Sequence, residues 1–411
     1  MNIYLIIILA IIIFEYLLSL FVEKLNVKNA CEKLPSEFEG FYDAQKYKLS
    51  QEYLKENVNF SQIKDTLFTI VTVIFILAGG FNFVDVIARS FGKGPILTGL
   101  IFTGIITFAA QILSIPFSAY HTFGLEAKYG FNKTTIKTFI LDFIKAFILT
   151  AIIGAAILSV IFLFFGAAGK LAWIYCWIAV TIFQLFLLFI APVVIMPLFN
   201  KFIPLEDGEL KGAIENYAKV QKFALQGVFK MDASKRSTKS NAFFTGFGKF
   251  RRIALFDTLI SKHTSDELVS VLAHEIGHYK KKHFIKGMFL SIATTGVMLF
   301  VLSFFINNKG LFEAFKMQNL SIYASLLFFG FLYSPINLFL SIFSNAISRK
   351  HEYEADKFAI ATYHKPEAFI VALKKLTVDN LSNLTPHPLK VFLDYSHPPV
   401  LKRIEAIKKL S

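Results

Sequence analysis

Apolar runs of roughly 20 residues recur along this chain, each long enough to cross about 30 Å of hydrocarbon as a helix. Seven such runs centre near Ile11, Val73, Ile105, Ile152, Leu185, Met298 and Phe331. The fourth and fifth are separated only by the turn "GAAGK", Gly166 to Lys170. The first is apolar from Ile3 to Val22 and interrupted by Glu15. No basic stretch precedes it and no small-residue cleavage site follows, so it reads as a retained membrane helix rather than a signal peptide. Three polar blocks remain: Glu23 to Lys64, Asn200 to about His283, and Ile347 to Ser411. In the first, "AQKYKLSQEYLKEN" interleaves Tyr and Leu with charges at helical spacing and reads as a loop with helical character. The pattern divides the chain into 1–199, holding the first five spans, a polar region 200–283, two further spans in 284–346, and a polar tail 347–411.

Composition agrees with the pattern. Of 411 residues, 55% are hydrophobic, 18% are charged and 48 are Phe, with a mean hydropathy of +0.55. A soluble chain carries about a quarter charged residues, so the class is polytopic membrane protein. The net charge of +14 reads as loop lysines and arginines that orient helices, not as a nucleic-acid surface. Loops sharing a side with the N-terminus, roughly 84–95, 166–170 and 307–320, hold Arg89, Lys93, Lys170, Lys309 and Lys316, five of the 43 basic residues. By the positive-inside rule the N-terminus is outside, and the block 200–283 and the tail are cytosolic. Both adjoin the sixth and seventh spans. Cys31 and Cys176 form no pattern with each other or with the histidines, which argues against a disulfide framework and a cysteine-type zinc site.

"VLAHEIGHYKKKH", Val271 to His283, carries the chemistry. Thr264 and Glu267 form a capping box ahead of it, so a helix is expected. His274 and His278 are four apart and share a face, and Glu275 can reach a water between ion and substrate. This is the HExxH zincin pattern: two zinc ligands and a general base. A helical His pair could also be a surface feature or a structural zinc site. Catalysis needs a third protein ligand and an open fourth position. In "SRKHEYEADKFAIA", Ser348 to Ala361, Glu352 and Asp356 are four apart. Glu352 can complete a His₂Glu site, and Asp356 can accept a hydrogen bond from a ligand histidine. His351 and Glu354 compete for the third place, and the stretch alone also reads as an acidic amphipathic helix. The lysines of "YKKKH" put the site at the interface, not inside a span.

Two β-prone runs, "NAFFTG" and "RIALFD", flank a Gly-containing turn in Lys239 to Leu259 and read as a hairpin. Its edge could hold a peptide in extended form through main-chain groups, or it could simply support the zinc helix. In "DYSHPPVLKRIEAIKKL", Asp394 to Leu410, two prolines hold the stretch after His397 extended, and Arg403 falls in the following helix. Near a metal the pair could stabilise an oxyanion; otherwise His397 starts a helix and Arg403 is a solvated charge.

Read together, "GFYDAQKYKLSQEYLKEN", "YHTFGLEAKYGFNKTT", "MPLFNKFIPLEDGEL", "SNAFFTGFGKFRRIALFDTL", "HEIGH", "SRKHEYEADKFA" and "YSHPPVLKRI" resemble, in order and over nearly the whole chain, the integral-membrane CAAX prenyl proteases with seven spans and a zincin site. The resemblance implies an all-α polytopic fold: seven tilted transmembrane helices form a barrel around a large water-filled chamber. A small cytosolic zincin-type catalytic region containing a β-hairpin closes it. It implies zinc on His274, His278 and Glu352, with Glu275 as general base and Asp356 supporting a histidine ligand. Asn241 and Ala242 would lie in the substrate-binding strand, and His397 and Arg403 would contact the substrate carbonyl and transition state. Glu15, Asp142 and Lys145 would face the chamber, although Asp142 and Lys145, three apart, could pair with each other. The implied reaction is zinc-dependent removal of the last three residues of prenylated CAAX proteins at the bilayer, with broader clearance of membrane-associated peptides as an alternative. A non-enzymatic zinc-stabilised transporter would not need Glu275. A chain shorter than the eukaryotic members points to a bacterial inner membrane; in a eukaryote it would be the endoplasmic reticulum.

Overall fold

Backbone groups inside hydrocarbon must be satisfied within their own segment, and this computed structural model is accordingly helical through every expected span. It describes residues 2–30, 33–245 and 252–410. Among these, seven helical segments are long and apolar enough to cross a membrane: Ile3–Asn29, Ala44–Leu77, Pro95–Glu126, Ile136–Ala167, Gly169–Phe199, His283–Ser303 and Ile322–Tyr363. Each contains one of the seven expected centres. They comprise α1 (Ile3–Asn29), α2 (Ala44–Leu77), then, after a short α3 (Gly80–Ser90), α4 (Pro95–Ala119), α5 (Ile136–Ala167), α6 (Ala172–Ile190) and a terminal turn α7 (Met196–Phe199). Between the polar region's α8 (Glu209–Val220), α9 (Asp257–Ile260) and α10 (Ser265–Lys280) and the chain end come α11 (His283–Ser303), α12 (Lys309–Ala314), α13 (Ile322–Tyr363), α14 (Pro366–Asp379), α15 (Pro388–Asp394) and α16 (Val400–Lys408).

The polar block after α1 differs from the expected loop. Asp43 caps α2 by accepting from the Lys46 amide at 2.6 Å, and the helix then runs unbroken into the second span. No Gly or Pro interrupts 44–77, and extending an existing helix is easier than starting a new one. α13 also runs unbroken past its span, despite Pro335 inside it, and carries Glu352 and Asp356 on that extension.

Two cores lie at opposite ends. One gathers Ile8, Phe81, Phe102, Phe162, Phe315 and Phe328, with the last two rings stacked at 3.8 Å. There Asn2 Nδ2 donates to the Gly310 carbonyl at 2.7 Å and Lys316 Nζ to that of Leu77 at 2.6 Å. The N-terminus, the chain entering α3 and the α12 region therefore share one end. The other core joins α8, α10, the end of α13, α14 and α16 through Ile214, Leu272, Ala359, Phe369 and Ile404.

Against this second core lies a four-stranded sheet in the order β1-β2-β4-β3. β1 (Phe202–Pro204) is antiparallel to β2 (Gly227–Met231), β2 is parallel to β4 (Arg252–Phe256), and β4 is antiparallel to β3 (Ala242–Thr245). The expected hairpin is β3–β4, with Ala242 opposite Leu255. Its Gly-containing turn, 246–251, lies outside the described residues, as does Cys31. β1 and β2 were not expected, being only three and five residues long and separated by α8.

Candidate metal centre

α10 starts where the sequence expects. The Thr264 hydroxyl accepts from the Glu267 amide, and the Glu267 carboxylate accepts in return from the Thr264 amide, each at 3.3 Å. α10 then packs tightly on α13. A Cβ placed on Gly277 would stand 3.1 Å from both the Cα and the carbonyl oxygen of Ala355, so only glycine permits this approach. The crossing brings Glu352 to the histidine pair.

His274 Nε2 and His278 Nε2 face each other at 3.0 Å. Glu352 Oε1 is 3.2 Å from His278 Nε2, and Oε2 is 3.4 Å from His274 Nε2. One donor atom from each of the three residues lies within 4.8 Å of the others. Glu352 Oε2 is buried and makes no hydrogen bond. Two facing ring nitrogens beside a buried carboxylate, one oxygen of which makes no hydrogen bond, fit a divalent cation with an N,N,O donor set.

Asp356 Oδ1 sits 2.7 Å from His274 Nδ1, where it fixes that ring's tautomer and turns Nε2 toward Glu352. Burial opposes charge on His274, but the Asp356 and Glu352 carboxylates outweigh it and push the pKa up to about 9. Arg403 grips Asp356 in a two-pronged pair, Nε to Oδ2 at 2.9 Å and Nη2 to Oδ1 at 2.6 Å. Its Nη1 is 3.4 Å from Glu352 Oε2. His397, on the turn before α16, is 64% exposed, with Nε2 3.4 Å from Glu352 Oε1. Glu275 is half-buried and lines a cavity of about 1370 Å³ shared with His278, Lys282, Phe289 and His351.

The competing ligand candidates stand outside the three-residue cluster. Glu354 Oε2 lies 3.0 Å from His283 Nε2, and His351 stacks on the His283 ring at 3.9 Å. β3 is an edge of the described sheet. Just before it, Asn241 is exposed and its carbonyl accepts from the Phe256 amide at 3.2 Å. Asn241 Oδ1 accepts from the Ala242 amide at 2.8 Å. Sequence reasoning missed Asn380, which brackets Ser240 from both sides, accepting from its amide at 3.1 Å and donating to its carbonyl at 3.2 Å. No local pattern marks Asn380, because its partner is 140 residues away.

Asp142 does not pair with Lys145. It accepts from Arg236 at 2.7 and 3.0 Å, while Lys145 donates to the Leu198 carbonyl at 2.8 Å. A guanidinium fork matches a carboxylate better than an ammonium does, and Arg236 arrives from the polar region, which local spacing could not reveal. Glu15 accepts from Ser334 Oγ at 2.5 Å.

Residues 23–201 match the family model of the CAAX prenyl protease N-terminal region with five membrane helices, and 204–411 match that of peptidase family M48. A CAAX prenyl protease 1 homolog of Oryza sativa is 34% identical, covering 97% of this chain and 96% of the relative. The CAAX prenyl protease 1 of Saccharomyces cerevisiae is 33% identical over 92% of this chain and 89% of its own. The crystal structure of S. mikatae Ste24p superposes with a TM-score of 0.93 at 31% identity, covering 98% of this chain and 99% of that one.

Proposed function

The chain belongs to peptidase family M48 as a multi-pass membrane metallopeptidase of the CAAX prenyl protease type, and from that premise we propose how its residues divide the work. His274, His278 and Glu352 hold zinc. The observation that carries this assignment is the pair of ring nitrogens facing each other at 3.0 Å beside a buried carboxylate oxygen with no hydrogen bond. Zinc suits an N,N,O set at a catalytic site and, when bound, supplies Lewis acidity to the scissile carbonyl and to attacking water.

Glu275 takes the proton from that water and passes it to the departing amide nitrogen. Asp356 keeps His274 in the liganding tautomer, and Arg403 holds Asp356. His397 donates to the carbonyl oxygen as negative charge grows on it, and Arg403 Nη1 adds positive potential at the same place. The substrate is a peptide or protein chain. It lies extended along the edge at Asn241 and Ala242, with main-chain groups pairing to β3. A prenyl group attached to it would occupy the apolar cavity beside Glu275. Residues 200–283 and 347–411 form the catalytic unit, and 1–199 with 284–346 form the membrane part. The catalytic unit faces the cytosol, at a bacterial inner membrane or, in a eukaryote, the endoplasmic reticulum.

Removing metal with excess chelator should abolish cleavage of a prenylated CAAX peptide, and Zn²⁺ should restore it. Full turnover at confirmed zero metal occupancy would defeat the assignment. An unprenylated peptide run alongside decides the substrate. Equal kcat/KM for both would favour general clearance of membrane peptides.

A further inference from the structure

His278 has two ring nitrogens, and only Nε2 points at Glu352 and His274. Its Nδ1 lies 3.0 Å from Nδ1 of His283, and His283 Nε2 lies 3.0 Å from Glu354 Oε2. The His283 side chain is 4% exposed, and its ring lies face to face with His351 at a 9° interplanar angle. Three groups thus run in line from the centre outward: His278, His283, Glu354.

The hydrogen-bond directions along this line are forced. A carboxylate accepts and does not donate, so the His283 Nε2 facing Glu354 carries a proton. Two N–H groups cannot face each other, so His283 Nδ1 is the bare acceptor and His278 Nδ1 is the donor. That leaves His278 Nε2 with a free lone pair directed at the centre, as a metal ligand requires. With the opposite tautomer of His283, the proton of His278 would fall on Nε2 and block it. Glu354 therefore selects the tautomers of both rings.

We propose that His283 and Glu354 are positioning residues that hold His278 in its liganding tautomer and orientation, as Asp356 and Arg403 do for His274. The inference rests on the reading of His274, His278 and Glu352 as a metal centre. It gives the two histidine ligands separate supports that share α13: α13 with α16 for His274, and the start of α11 with α13 for His278. It also accounts for His283, which adjoins HExxH in sequence without belonging to it.

The test is zinc affinity of the purified full-length protein in detergent, measured by competition with a chromophoric chelator, beside the melting temperature of the metal-free form. Two variants of one site make opposite predictions. His283→Gln can accept from His278 and donate to Glu354, so affinity should stay within a few-fold of wild type. His283→Phe keeps an aromatic ring against His351 but cannot bond, and should weaken zinc binding by about 10–100-fold, the usual effect of losing such a support. Glu354 is one-third exposed (33%), so Glu354→Leu is a tolerable second probe. It should fall with His283→Phe, while Glu354→Gln, whose carbonyl still accepts, should not. Wild-type zinc affinity in His283→Phe and Glu354→Leu would overturn the proposal. So would a pattern in which Phe preserves affinity and Gln loses it together with metal-free stability, since that is the signature of packing alone. A wild-type protein that binds no zinc would instead defeat the metal centre itself.

Discussion

Glu275 and His274 are neighbours on one helix, yet different surroundings give them different tasks. His274 is locked between Asp356 and the facing His278, while Glu275 opens on the cavity. Glu275→Gln keeps size and hydrogen-bonding capacity but loses the base. It should retain metal by elemental analysis and lose ~10²–10⁴ in kcat; unchanged turnover would remove Glu275 from that role. His274 gives a pH signature. Its pKa is raised from 6.5 to about 9 in the metal-free protein, so its charged contacts stabilise that form fully below 6.5 and lose this as pH rises through about 9. A cation and a proton compete for the same lone pair. Apparent zinc affinity should therefore climb as pH rises toward about 9 and level off above, as read by competition titration. His397 is exposed and outside the ligand cluster. His397→Ala should lower kcat and kcat/KM alike by roughly a hundredfold, at unchanged metal content. A helix-start role would instead cost ~1 kcal/mol of stability and leave turnover intact.

At the scale of elements, the centre depends on how closely α10 and α13 approach. The histidine pair is internal to α10 and survives any movement of that helix as a unit. Glu352 belongs to another helix, and its distance from the pair is set where Gly277 meets the Ala355 backbone. Backbone cannot rotate aside, so Gly277→Ala should force the helices apart by a few tenths of an ångström and Gly277→Val by more. Overpacking of this kind costs about 1–3 kcal/mol. Zinc affinity should fall in the order Gly, Ala, Val, while the helical circular dichroism stays constant. Equal affinity across the series would show that α13 is positioned from elsewhere. The Arg403–Asp356 pair ties α16 to the same crossing, so the tail is part of the site's frame.

Over the whole molecule, two cores at opposite ends tie the helices together, one beside the N-terminus and one around the metal centre. In the proposed orientation, which rests on the positive-inside rule, these ends lie on opposite sides of the membrane with the candidate metal centre in the cytosol. In a protein with Cys31 replaced by Ser, Lys402→Cys should react with an impermeant maleimide only from the cytosolic side, and Lys93→Cys only from the other; the reverse pattern would invert the orientation. Much of this was legible in the chain. Seven spans follow from apolar length, because hydrocarbon thickness and helix rise leave no other solution. The capped helix with its HExxH spacing, and the shared face of Glu352 and Asp356, follow from the 3.6-residue repeat alone. Local patterning ended where partners come from far away. It could not choose Glu352 over His351 and Glu354, because that choice depends on the rotation of α13 against α10. It did not find Asn380 beside Ser240, Arg236 on Asp142 or His283 behind His278, because each is a polar group whose partner is supplied by a different element. Spacing within a helix is set by the chain's own geometry, whereas contacts between helices exist only once packing has fixed their approach and rotation; the tertiary structure alone decided those.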